Sequence, residues 1–118
     1  MSVKTIENMV DWIEENIKEN PTLEQMSNYV GYSSFYCSEK FHEYVGVTFK
    51  KYIANRKISL AAVDIKNTKR RVLDIAVEYG FSSQEAFTRA FVKAYGYTPN
   101  NYRRQSSEIL LFEKAKIT

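Results

Sequence analysis

The chain carries one pattern twice, about fifty residues apart, and this repetition narrows the folds open to it more than any other feature. The first copy runs from Leu23 to Ile53 (LEQMSNYVGYSSFYCSEKFHEYVGVTFKKYI) and the second from Val72 to Arg103 (VLDIAVEYGFSSQEAFTRAFVKAYGYTPNNYR). Gly31-Tyr32-Ser33-Ser34 pairs with Gly80-Phe81-Ser82-Ser83. After one extra residue in the second copy, Phe41 pairs with Phe91, Gly46 with Gly96, Thr48 with Thr98 and Tyr52 with Tyr102. A solenoid needs about three or more stacked repeats to cover its interior, so two copies point to two related subdomains in one body.

Each copy reads as a helix, a tight turn and a second helix. In the first, Thr22 stands at a capping position, Leu23, Met26 and Val30 share a face, and Gly31 supplies the turn. The next helix starts near Ser33 and ends at Gly46. Its inward stripe is Cys37, Phe41, Tyr44 and Val45, which leaves Ser34, Phe35, Ser38, Glu39 and His42 facing out. In the second copy Val72 to Tyr79 make one helix, Gly80 the turn, and Ser83 to Tyr95 the other. That helix has a core stripe of Phe87, Ala90, Phe91, Ala94 and Tyr95 and an outer face of Gln84, Glu85, Thr88, Arg89 and Lys93. Ahead of both copies, Ile6, Met9, Val10, Ile13 and Ile17 recur at spacings of three and four. They predict an amphipathic helix over residues 5–19 that Pro21 ends, with Trp12 in the core and Glu14-Glu15 solvated. Thr48 to Lys66 contains no Gly or Pro and shows two apolar stripes, Phe49, Ile53 and Leu60 on one and Ile58, Ala61, Ala62 and Ile65 on the other. Two stripes imply neighbours on two sides. The expected architecture is all-α with about seven helices. Residues 5–47 form a first helix-turn-helix subdomain, 48–66 a linker helix, and 67–105 a second such subdomain. Residues 106–118, with the apolar run Ile109-Leu110-Leu111-Phe112, form a tail or linker.

Composition removes several classes of function. At 118 residues and 44% hydrophobic side chains, the chain is globular and holds one domain or two small ones. No apolar run approaches the ~20 residues of a membrane span, and acidic side chains occupy the start where a secretory signal needs an apolar core, so we expect a cytoplasmic protein without a membrane partner. With Cys37 the single cysteine and His42 the single histidine, neither a disulfide framework nor a Cys/His zinc site is available, and no metal or other cofactor is expected. Cys37 pairs with Phe87 in the repeat register and reads as a small buried spacer. No nucleophile–base constellation and no phosphate-cradling glycine loop suggests an enzyme. The charge is unevenly distributed: residues 1–24 carry two basic and six acidic side chains, whereas residues 25–104 carry thirteen basic and six acidic. The basic repeat region suits a surface that meets phosphates, and the acidic first helix one turned away from them.

These residues also carry a family resemblance. Gly80-Phe81-Ser82-Ser83 continuing to Phe87-Thr88-Arg89-Ala90-Phe91, then Gly96-Tyr97-Thr98-Pro99 and Tyr102-Arg103, resembles the C-terminal signature of AraC/XylS-type transcriptional regulators. The resemblance covers residues from about 5 to 105, and Asp11-Trp12-Ile13-Glu14 near the start is similar to the short MarA/SoxS/Rob subgroup. It implies a sequence-specific regulator of double-stranded DNA, acting in the bacterial cytoplasm at the nucleoid. Both recognition helices would lie in successive major grooves on one DNA face, bound as a monomer and in contact with RNA polymerase. A linker helix of ~18 residues is ~27 Å long, enough to hold two modules about one DNA turn (~34 Å) apart.

Carried over position by position, the resemblance implies base contacts from Ser34, Phe35, Tyr36, Ser38 and Glu39 in the first module and from Gln84, Glu85, Thr88 and Arg89 in the second. Arg89 suits guanine, Gln84 adenine and Glu85 the cytosine amino group, while Thr88 suits a phosphate or a thymine methyl. Two positions depart from the family. Glu39 stands where a basic or amide donor is common, and Phe35 replaces the tryptophan of the MarA type. Phosphate contacts are expected from Ser33, Lys40, Lys50, Lys51, Arg56, Ser83, Lys93, Arg103 and Arg104, with backbone N–H groups at the helix starts near Ser33 and Ser83 adding to them. The alternative is a helical protein-interaction module, or the DNA-binding fragment of a longer ligand-sensing regulator. Steep weakening with salt marks phosphate binding and separates it from an apolar protein interface.

Overall fold

The computed structural model describes residues 1–105 and 112–117, and every regular element among them is helical. In chain order these are α1 (Val3–Glu15), a single 3-10 turn (Ile17–Glu19), α2 (Leu23–Val30), α3 (Ser34–Val45), α4 (Phe49–Asn67), α5 (Val72–Glu78), α6 (Gln84–Tyr95) and α7 (Pro99–Arg104). They divide into two compact units, residues 1–55 with 113–118 and residues 56–112, so α4 gives its first turns to one unit and the rest to the other.

In the first unit α1, α2 and α3 pack on one another around Ile6, Met9, Ile13, Met26, Cys37 and Phe41, all fully buried. The caps explain why each helix begins where it does. The Ser2 side chain accepts from the Thr5 N–H at 3.1 Å and starts α1 two residues earlier than periodicity suggests. Thr22 and Gln25 form a reciprocal capping box at the start of α2. The end of α1 also differs from expectation. Its last turn closes at Asn16, whose Nδ2 donates to the Trp12 carbonyl at 2.8 Å, and Ile17–Glu19 continues only as a 3-10 turn. The chain has therefore left the helix before Pro21, with Asn20 in the left-handed region at φ 51°. Trp12 is half-buried and stacks on Tyr29 at 6.2 Å instead of entering the core.

The second unit is built around Ala61, Ile65, Ile75, Ala76, Phe87 and Phe91. The repeat recurs here in three dimensions. Phe41 meets Tyr52 edge-on at 5.6 Å, and Phe91 meets Tyr102 edge-on at 5.2 Å. Thr48 caps α4 through the Lys51 N–H, and Thr98 caps α7 through the Asn101 N–H. The extra residue of the second copy falls in the turn, so that Ser33 and Ser83 are the true counterparts, each capping the helix that follows. Gly46 and Gly96 end α3 and α6 at φ 91° and 78°. Nothing lies within 4 Å of where a Cβ would stand, so backbone conformation and not space requires glycine there.

Two members of the expected core stripes lie outside it: Tyr44 is exposed and Ala94 is also at the surface. Along α4 the two apolar stripes are present, but Arg56 and Ser59 are buried between them. Both are satisfied by Phe112, whose N–H donates to Ser59 Oγ at 2.7 Å and whose carbonyl accepts from Arg56 Nη1 at 2.6 Å. In the first unit the Ala115 N–H donates to the Tyr52 hydroxyl at 3.0 Å and Lys114 pairs with Asp11 at 2.6 Å. Of the apolar run singled out in the tail, Ile109 to Leu111 lie outside the described residues.

Candidate nucleic-acid interface

α3 presents the first candidate surface. Its Ser33 cap accepts from the Tyr36 N–H at 3.2 Å, Cys37 and Phe41 fix the inner face in the core, and the opposite face is open. Side chains four apart on a helix stack into rows. One row is Phe35, Glu39 and Glu43, all exposed, with Phe35 at 79%. Beside it Ser34 and Ser38 are half-buried and His42 is exposed, and a shallow hollow is lined by Ser38, Glu39, His42 and Glu43. Tyr36 is the least available of the five base-contact candidates. Its hydroxyl accepts from the Met1 ammonium at 3.1 Å and its ring packs on Tyr32 at 5.5 Å, with Lys40 Nζ 5.7 Å from its centre. Lys40 donates to Glu43 at 3.1 Å, and this bond holds the ammonium pKa above its ordinary value. Its hydrogen bond goes to Glu43, and Glu39 acts on it only through charge and more weakly. Past Gly46, Lys50 and Lys51 stand exposed beside the Thr48 cap.

α6 offers the equivalent surface in the second unit. Ser83 accepts from the Ala86 N–H at 3.0 Å, and Phe87 and Phe91 fill the core. The exposed row is Glu85, Arg89 and Lys93, flanked by half-buried Gln84 and Thr88. Nearby, Lys57 is half-buried with Nζ 4.9 Å from the Phe81 ring centre, and burial lowers its pKa. The basic candidates separate by what they already hold. Arg104 is exposed, although its Nε reaches the Asn100 carbonyl at 3.3 Å. Arg103 is half-buried, its Nε on the Ile65 carbonyl at 2.8 Å and its Nη2 on the Arg70 carbonyl at 2.6 Å. Arg56 is a correction. At 8% exposure, with Nη1 on the Phe112 carbonyl, its guanidinium is part of the interior and cannot reach a phosphate without giving up that bond. The charge-based reading also passed over Asn100 and Asn101, which the repeat register pairs with Lys50 and Lys51 and which are exposed at the start of α7.

A family model described as a helix-turn-helix domain matches residues 26–105, a span that contains the second copy of the repeat, all but the first three residues of the first, and both exposed helices. The chain belongs to the AraC/XylS helix-turn-helix family. Over 99 residues it is 38% identical to the transposon Tn10 TetD protein of Escherichia coli, covering 84% of this chain and 72% of that protein. It is 33% identical over 102 residues to the regulatory protein SoxS of Escherichia coli (strain K12), covering 86% and 95% respectively. The C-terminal domain of AraT, a response regulator from Geobacillus stearothermophilus, has a TM-score of 0.78 at 26% identity, covering 92% of this chain and 93% of that one. AraC/XylS proteins are DNA-binding transcriptional regulators, and membership makes this chain one; the protein-interaction alternative is not favoured. No helix among the described residues is long and apolar enough to cross a membrane.

Proposed function

We propose that the chain binds double-stranded DNA sequence-specifically as a monomer, laying α3 and α6 into successive major grooves on one face of the duplex. One observation carries the reading: each unit holds a serine-capped helix whose inner face is locked by Phe41 or Phe91 while the opposite row of side chains stands in solvent. A helix presented in this way fits the major groove, and its N-terminal residues meet base edges. In this reading residues 5–47 and 67–105 are the two modules, 48–66 the linker helix and 106–118 a C-terminal tail or linker. Ser34, Phe35, Ser38, Glu39, Gln84, Glu85, Thr88 and Arg89 are the base-facing set, with Tyr36 supporting α3 from the side. Lys50, Lys51, Lys93 and Arg104 lead the phosphate contacts, with Ser33, Ser83, Lys40 and Arg103 secondary to them. The protein acts in the bacterial cytoplasm, has no catalytic role and touches RNA polymerase when bound at a promoter.

The test is a salt titration of affinity for duplex DNA. Each neutralised phosphate contributes a slope of about −0.9 in log K against log salt, so three to six engaged cations give slopes of about −3 to −5. A flat dependence would remove the DNA-binding reading.

A further inference from the structure

The two exposed rows occupy equivalent positions and carry opposite chemistry. On α6 the row is Glu85, Arg89 and Lys93; on α3 it is Phe35, Glu39 and Glu43. The α6 row brings two cations and one carboxylate to the groove. The α3 row brings an aromatic ring and two carboxylates, of which Glu43 is bonded to Lys40 while Glu39 stands exposed. A carboxylate entering a groove between two phosphate strands is repelled unless it meets a hydrogen-bond donor on a base. In the major groove those donors are the amino groups of cytosine and adenine. Adenine sets the N7 acceptor beside its amino group, which suits an amide side chain and repels a carboxylate, whereas cytosine offers its amino group with no acceptor of its own on that edge. The neighbouring Phe35 has no hydrogen-bonding atom, and the apolar feature open to it in the groove is the thymine methyl.

We infer that α3 reads a pyrimidine step, with Glu39 accepting from a cytosine amino group and Phe35 packing on a thymine methyl one or two base pairs away. In α6 the carboxylate and the cation lie one turn apart, and Arg89 reads guanine. The two half-sites therefore differ in composition, and exchanging them changes the affinity. The inference rests on the DNA-binding reading above and specifies which bases the first module takes.

The test is selection of bound duplexes from a random pool with the wild-type chain and with the Glu39→Ala, Glu39→Arg and Phe35→Ala variants, followed by titration of the selected sites. In the wild type, one half-site carries cytosine at one position with thymine beside it. Glu39→Ala lowers the preference for that cytosine about tenfold while total affinity falls little, because repulsion from phosphate is removed with the contact. Glu39→Arg moves the preference at that position from cytosine to guanine, and Phe35→Ala relaxes only the thymine. In all three variants the half-site read by Arg89 stays unchanged, and amide protection in α1, α2 and α3 equal to the wild type shows that the first unit is folded. A cytosine preference that survives Glu39→Ala, or a first half-site without preference beside an intact second one, overturns the inference alone. The absence of enrichment in either half overturns the DNA-binding reading itself.

Discussion

Truncating Phe91 tests whether each unit stands on its own core. The ring is fully buried and lies 5.7 Å from Phe87, 4.9 Å from Tyr95 and 5.2 Å from Tyr102, with the last contact edge-on. Phe91→Ala removes the transfer energy of a buried phenyl group and leaves a cavity, together about 3–5 kcal/mol. Each lost ring pair accounts for about 0.5–1.5 kcal/mol beyond area burial. At roughly 0.05–0.15 kcal/mol per residue, the unit spanning residues 56–112 holds about 3–9 kcal/mol, so the substitution consumes about a third or more of it. In urea followed by far-ultraviolet circular dichroism and by per-residue amide exchange, the variant should lose α5, α6 and α7 first. Amides of α1, α2 and α3 should keep their protection to higher denaturant. Phe91→Leu, which keeps most of the volume, should cost less than half as much. A single transition displaced by less than about 1 kcal/mol, or equal loss of protection in α2 and α6, would refute the reasoning.

Other consequences follow from single contacts. The Tyr79 hydroxyl donates to Asp64 Oδ2 at 2.8 Å, and burial, reinforced by that bond, raises its pKa far above the ordinary tyrosine value. Because the folded state favours the neutral phenol, the stabilisation is fully present below about pH 10 and is lost as pH rises above it; Tyr79→Phe should abolish that alkaline step and cost about 1–3 kcal/mol at pH 7 in urea melts. Tyr52→Phe removes the acceptor for the Ala115 N–H and should destabilise the first unit by about 0.5–1.5 kcal/mol. Lys114→Ala, which breaks an exposed pair with Asp11, should cost under about 1 kcal/mol in the same assay. Arg89→Ala should erase a guanine preference in one half-site by about five- to a hundredfold; equal losses on all sequences would make Arg89 a phosphate contact.

The repeat makes most of this fold legible in the sequence. Phe41 and Phe91, Gly46 and Gly96, Thr48 and Thr98, and Tyr52 and Tyr102 recur in order because each pair does the same job: filling a core, ending a helix, capping the next and closing on the ring. The exposed rows were legible for the same reason, since apolar positions at helical spacing leave the opposite face to solvent. What was not legible depends on partners distant in sequence. Nothing local marks Arg56 as buried; its acceptor is the Phe112 carbonyl, 56 residues away. Tyr36 enters the base-contact set only through the family resemblance, and the Met1 ammonium and Tyr32 hold it. The end of α1 was misplaced because Pro21 is a stronger sequence signal than Asn16, although the Asn16 side chain caps the helix first.

Chemical footprinting on a selected operator tests the central claim most directly. Guanine N7 methylation reports the major groove alone, and hydroxyl radicals report which face of the duplex is covered. The account predicts two protected major-groove segments on one face, centred about 10 base pairs apart, with Phe87→Ala or Phe91→Ala removing only one of them. A single protected segment in the wild type, or protection confined to the minor groove, would contradict it.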